Sequence, residues 1–286
     1  MVRDSSTHLD QGRPYHVLGQ YLAWRLAASP SLPVDLAWIS IADANSPASH
    51  KLLPHGEPSI AIRRRRTVTN ALESVELVVC GPYYKTGQYT PEAREELIAF
   101  RLKPEFSAAV FNIAPQDYGG LSTTNAPLEL MPFFANALKC AEFAEASDVL
   151  IAVKSDILNL AASRKIPTGP EAATAEWMRQ SEGKIMFRDI ASKLDVSERN
   201  LRRRFIDHVG CRPKTYARYL KITAAALAAE KMAKPDWAAV AADAGFHDQP
   251  HMINSFQAEI GMTPKAFHAE RRTLVSQTPL SGFCNT

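Results

Sequence analysis

The sequence predicts an α+β protein of two domains: antiparallel β with helices first, then an all-α third. Three observations predict it. Short apolar segments between residues 34 and 103 alternate with turn formers. From about residue 128 the apolar residues recur at helical spacing. Between 171 and 272 one pattern occurs twice, at a shift of 51 residues.

The β part comes first. "VDLAWISI", "SIAIRR", "VELVVC" and "ELIAFRL" are rich in Val, Ile, Leu and aromatics, as strands are. "ADANSPASH", "LPHGEP" and "GPYYKTG" lie between them as turns. Short strands at this spacing predict a small antiparallel sheet or barrel over 1–127, with "FSAAVFNI" as a helix laid on it. Trp38, Phe100 and Phe106 are expected to pack in its core, with the lining of an apolar pocket as the alternative. "RRRR" at 63–66 is expected to be a solvated strand end, and His50, His55 and Glu57 a polar loop.

Residues 128–162 predict two helices, broken near Ser147–Asp148, that form a helical connector. "SRKIPTGP" (163–170) reads as a linker, with Pro170 opening the next helix. Residues 171–272 are then all-helical, and 273–286 a loose tail.

The repeat is the most informative feature. "SERNLRRRFIDHVGCRPKTY" (197–216) superposes on "DQPHMINSFQAEIGMTPKAF" (248–267). Ser197 and Asp248 fall at helix starts, where a side-chain oxygen satisfies a free N–H. Leu201 with Phe205, and Met252 with Phe256, are four apart and share a helical face. Gly210 and Gly261 suit the left-handed residue that ends a helix, and Pro213 and Pro264 open the next one. Upstream the shift is 50, so one copy carries an extra residue in its turn. Each copy is helix, turn, capped helix, whose second helix suits a DNA major groove. "RPKTYARYLKITAAALAAEKMAKP" predicts one connecting helix over about 213–233, roughly 30 Å long. Its Tyr216, Leu220, Ile222 and Leu227 are expected to pack against both units. That span approaches the ~34 Å between successive major grooves on one face of DNA.

Four arginines lie within six positions of the first copy. With Leu201 and Phe205 turned inward against Ile190 and Val196, Arg199, Arg202 and Arg203 point outward as base-edge donors. Asn200 and Arg204 are the phosphate candidates, and the helix start at Ser197 suits phosphate as well. In the second copy Gln249, His251 and Asn254 take the equivalent outward positions.

Net charge over the 286 residues is only +3, too little to specify a polyanion partner. Its distribution is informative: 171–275 holds 17 Lys and Arg against 13 Asp and Glu, and the remainder 16 against 17. Cys80, Cys140, Cys211 and Cys284 are far apart and lack metal-ligand spacing, so reduced thiols, no metal and no cofactor are expected. The polar start of the chain and the lack of a long apolar run predict a cytoplasmic protein that avoids membranes.

"FRDIASKLDVSERNLRRRFIDHVGCRPKTYARYLKI" and "VAADAGFHDQPHMINSFQAEIGMTPKAFHAER" resemble the AraC/XylS family of bacterial transcription regulators over about 171–272. The resemblance implies double-stranded DNA as the partner, two helix-turn-helix units in adjacent major grooves, activation through RNA polymerase, a small-molecule effector and a homodimer. It makes Arg199, Arg202, Arg203, Gln249, His251 and Asn254 the base-facing residues. Asn254 stands where the family usually has Arg, and Pro250 where Ser or Ala is common, so the second unit is expected to contribute mainly phosphate contacts. More loosely, "LPHGEPSIAI", "CGPYYKTG" and "LIAFRLKPEFSAAVFNIAPQDY" are similar to the family's cupin-like sensor barrels. An enzyme is not expected. Two rivals remain: a constitutive DNA-binding protein without an effector, and a cysteine-based DNA repair enzyme. For the latter, Cys80 in apolar "VELVVCGP" is a poor nucleophile.

Overall fold

The computed structural model describes residues 16–18, 21–26, 31–42, 49–83, 88–120 and 123–275. Residues 43–48 and 84–87, expected as turns, and 276–286 with Cys284, expected as a loose tail, lie outside the described residues.

The N-terminal half is built on strands β1 (His16–Leu18), β2 (Tyr21–Arg25), β3 (Val34–Ile41), β4 (His50–Lys51), β5 (Ser59–Arg66), β6 (Leu72–Cys80), β7 (Gln88–Tyr89), β8 (Glu95–Leu102) and β9 (Thr124–Asn125). The main sheet is antiparallel, in the order β1-β2-β3-β8-β5-β6-β9, and β4 pairs with β7. All four strands expected from the sequence form. The barrel does not: β1 and β9 end the described sheet without pairing with each other. Closure is not needed to bury this sheet, because other elements cover both faces.

Strand alternation creates those two faces. Ile60, Ile62, Leu77, Val79, Ile98, Phe100 and Leu102 point into one large core. It is covered by α1 (Pro104–Phe111), α2 (Ala135–Cys140) and α3 (Ala146–Ala162), with a 3-10 segment at Leu128–Phe134. Phe100 and Phe106 lie in that core, as the sequence implied. The opposite face carries smaller residues, Ala61, Val78, Cys80 and Ala99, beside Trp38.

The helix break falls at 141–145, ahead of Ser147–Asp148, which sit in the first turn of α3. Two side chains stitch this region together. Buried Asp156 of α3 accepts a hydrogen bond from the Ala137 N–H (2.8 Å), serving the free start of α2 from outside. Arg64 donates to the Ala144 carbonyl (2.6 Å) just beyond α2 and pairs with Glu96.

That contact corrects the reading of 63–66 as a solvated strand end. Arg64 is 1% exposed, Arg63 pairs with Glu76 (2.8 Å), Arg65 with Glu92 (3.0 Å) and Arg66 with Glu96 (3.4 Å). The acidic partners come from neighbouring strands and turns, which a linear reading does not bring together. The polar-loop expectation for His50, His55 and Glu57 is also corrected. His50 and Glu57 are buried, because the other half of the molecule packs over them.

The C-terminal half follows as α4 (Pro170–Gln180), α5 (Phe187–Lys193), α6 (Glu198–Val209), α7 (Pro213–Glu230), α8 (Trp237–Asp243), α9 (Gln249–Ile260) and α10 (Pro264–Val275). It has two cores. One gathers Ile190, Ala191, Leu201, Phe205, Val209 and Tyr216; the other gathers Ile222, Val240, Ala241, Met252, Phe256, Ile260 and Phe267. Helix α7 supplies Tyr216 and Leu220 to the first and Ile222 to the second. Leu227, expected to join them, faces the N-terminal half instead. No helix among the described residues is long and apolar enough to cross a membrane.

Candidate nucleic-acid interface

The two units are built by the same local devices. Val196 N–H donates to Ala191 O (3.1 Å), and Phe246 N–H to Ala241 O (2.9 Å), closing each turn at the same place. This 6→1 bond needs a left-handed residue just before the donor. Asp195 supplies it in the first unit (φ 52°) and Gly245 in the second (φ 76°). The extra residue of the second turn is His247, where the sequence shift changes from 50 to 51. Ser197 then accepts from Asn200 N–H (3.4 Å) and Asp248 from His251 N–H (2.7 Å). Gly210 (φ 84°) and Gly261 (φ 75°) end α6 and α9.

The surfaces those helices present differ. On α6, Arg199, Asn200, Arg202 and Arg203 are all exposed. Arg202 reaches Glu198 (3.5 Å) and lies over the Phe187 ring (5.9 Å), while Arg203 donates to the Asn200 side chain (3.3 Å). These are weak surface contacts, easily exchanged for a stronger acceptor. Arg204 is different: half-buried, it donates to Glu171 of α4 (2.7 Å). Burial alone would raise the Glu171 carboxyl, but the Arg204 hydrogen bond and charge outweigh it and hold it below its usual range.

On α9, His251 and Asn254 are exposed and Gln249 is half-buried. His251 meets the Phe246 ring edge-on (5.5 Å), and its Nδ1 accepts from the His247 N–H (3.4 Å). His247 pairs with Asp248 (2.9 Å), and this bond with the His251 N–H lowers the Asp248 carboxyl. No cationic side chain stands in the outward positions of α9.

The units are locked to each other. Lys221 of α7 donates to the Gly245 carbonyl (2.7 Å), so the connector grips the second turn. Arg218 of α7 pairs with Glu259 of α9 (2.7 Å), and Arg271 of α10 with Glu230 of α7 (2.7 Å). Gly183 (φ 77°) lies where a Cβ would collide with the Ala217 carbonyl, so α7 runs close over the turn after α4.

They are also fastened to the N-terminal half, which the sequence did not reveal. Tyr216, in the first unit's core, donates to Glu57 (2.7 Å). Arg179 of α4 donates to Tyr216 (3.3 Å) and to Glu105 of α1 (2.8 Å), and Lys103 pairs with Glu176 (3.2 Å). Burial works against the Arg179 charge, yet Glu105 outweighs it and raises the pKa. Lys51 donates its backbone N–H to Glu270 of α10 (2.7 Å) and its Nζ to the Ile260 carbonyl ending α9 (2.9 Å). The strap 51–57 therefore touches both units. Glu57 and Tyr216 are 159 residues apart, so no local pattern could announce the pair.

Two capped helix-turn-helix units in series, sharing one connector, make a double helix-turn-helix domain. Residues 190–270 match the family model described as a helix-turn-helix domain. Similar solved structures include the DNA-binding domain of the global transcriptional factor AdpA in complex with a target DNA. It is 21% identical, covering 39% of this chain and 100% of that one, with TM-score 0.36. An AraC-type regulator from Chromobacterium violaceum is 24% identical over 36% and 91% of the two chains, with TM-score 0.33. ToxT from Vibrio cholerae O395 is 8% identical over 83% and 96%, with TM-score 0.42. No curated protein matches the chain.

Proposed function

We propose that the chain is a sequence-specific transcription regulator that inserts α6 and α9 into adjacent major grooves of double-stranded DNA, and whose affinity responds to a small molecule at its N-terminal half. The observation that carries this reading is the pair of identically closed and capped turns, with Arg199, Arg202 and Arg203 all exposed on the first presented helix. Arg pairs bidentately with guanine O6 and N7. Gln249 and Asn254 suit adenine, and His251 suits a base or phosphate donor role. Asn200 and the N-terminus at Ser197 suit phosphate. Arg204 acts chiefly as a tether to α4 through Glu171.

Helix α7 spans 18 residues, roughly 27 Å. A connector of that length suits units one helical turn of DNA apart. Control from the N-terminal half is supported by the buried Glu57–Tyr216 and Glu105–Arg179 contacts, which join it to the core of the first unit. Exposed Leu128, Phe143 and Ile151 on the helical connector support a homodimer. RNA polymerase is the partner that activation requires.

Selection from a randomised duplex library with the full chain tests this. The expected result is a site with two conserved blocks about 10 base pairs apart centre to centre. Retention of all sequences equally, with binding abolished by salt, would mean phosphate contacts alone and would overturn sequence reading.

A further inference from the structure

A cavity of about 230 Å³ lies between the sheet face opposite the helices and the DNA-binding half. Its walls come from three places. The sheet and β7 give Tyr21, Trp38 and Tyr89; the strap gives Leu53 and His55; Thr223 and Leu227 of α7 and Arg271 of α10 close it. An occupant touches both halves of the molecule at once.

The walls are aromatic and electrically settled. Arg101 is held by both oxygens of Asp35 (2.8 Å each), and Arg271 by Glu230 (2.7 Å). The Tyr89 hydroxyl already donates to Glu95 (2.9 Å) and Tyr21 bonds His50 (2.7 Å). Burial pushes the Cys80 thiol up to about 12 and lowers His55, so both are neutral at neutral pH. Both lining arginines among the described residues are therefore paired, so an incoming carboxylate meets guanidinium charge already offset by Asp35 or Glu230. A dry cavity of about 150 Å³ takes a benzene ring. This one has room for a ring with substituents or for two fused rings.

The cavity also sits at the point of control. Leu52, Leu53 and His55 line it, and they belong to the strap whose Lys51 holds the end of α9 and Glu270 of α10 and whose Glu57 holds Tyr216. Filling it bears on the fastening of both helix-turn-helix units.

We infer that this cavity is the effector site and that it takes a compact, uncharged molecule built on one or two aromatic rings, which acts on DNA affinity through the strap. This rests on the reading of the chain as a DNA-binding regulator.

The test titrates the full chain by calorimetry with indole, 1-naphthol, 1-naphthoate and hexadecanoate, and measures binding to the selected DNA site in the same preparation. The expected result is saturable binding of indole or 1-naphthol, weaker or no binding of the two carboxylates, and a change in DNA affinity of about threefold or more on saturation. Thr223→Trp, which fills the cavity from α7, should weaken aromatic binding by about tenfold or more while ligand-free DNA binding persists. If that variant fails to fold, Leu227→Ala keeps the test decisive: enlarging the cavity should favour 1-naphthol over indole by about threefold. Absence of aromatic binding, tighter binding of either carboxylate, or indifference to both substitutions would overturn the inference. DNA binding that survives these failures leaves the regulator reading standing; loss of specific DNA binding in the unmodified chain would sink that reading instead.

Discussion

The two helix-turn-helix units share a backbone design and differ in almost everything they show to solvent. Both close their turn with the same 6→1 bond, cap the second helix with a short oxygen-bearing side chain and end it on a left-handed glycine. One then presents three exposed arginines, the other an amide, a histidine and a half-buried glutamine. Backbone geometry is set by caps, turns and a few buried contacts, while outward side chains are free to vary. The units differ as well in how the rest of the molecule holds them. The first is gripped at its core, through Tyr216; the second is held at its edge, through Lys51.

The sharpest way to break this comparison is to empty each core. Phe205→Ala and Phe256→Ala remove equivalent buried rings, and each should cost about 3–5 kcal/mol. Because α7 contributes to both cores, thermal unfolding of either variant should remain a single transition shifted downward. Separate melting of one unit would show that α7 does not make them one body.

The presented surfaces come next in size. Arg203→Ala should weaken binding to the selected site by about 1–3 kcal/mol and relax one or two base positions. Asn254→Ala should cost less and relax at most one position of the second block, as a single amide reading one adenine would. Competition binding against a panel of single-base variants checks both. A uniform loss for Arg203→Ala would make it a phosphate contact.

The turns offer a comparison of opposite sign. Gly245→Ala places a Cβ at positive φ and 2.8 Å from the Lys184 side chain, and should destabilise by about 1 kcal/mol or more. Asp195→Gly relieves the left-handed strain at the equivalent position and should be neutral or stabilising by up to about 1 kcal/mol. Denaturant midpoints distinguish them; the same sign for both would mean that the turns are not equivalent.

The smallest expected effect is a pH dependence of the strap. His55 packs edge-on to Tyr83 (5.2 Å) and lies 3.9 Å from Glu57, with Arg101 and Asp35 also acting on it. Burial lowers its pKa below the ordinary 6.5, against the pull of Glu57. The unfolded chain therefore binds the proton more readily, so this stabilisation is complete above about 6.5 and declines as pH falls below it. His55→Gln should flatten the stability profile in that window; an unchanged slope would assign it to other groups.

Legibility in the sequence followed the range of the interactions. Caps, stops and the Leu201–Phe205 stripe lie within a few residues of each other, and each can be recognised from its own neighbourhood. The left-handed role of Asp195 was less visible, since aspartate occupies that conformation only under constraint, whereas Gly245 advertises it. "RRRR" misled for the opposite reason. Its three acidic partners sit on other strands and turns, and Arg64 also reaches the carbonyl of Ala144, eighty residues away.

By itself the sequence determined the two capped units, the helix that opens at Pro170 and the run of strands, because periodicity and local hydrogen-bond chemistry act over short stretches of chain. Tertiary structure alone decided that the sheet stays open and that the strap 51–57 grips both units. It also decided that Glu57, Glu105, Arg179 and Tyr216 meet in one buried cluster. Buried charges must find partners wherever the packed surfaces bring them, and a linear pattern carries no record of which surfaces those will be.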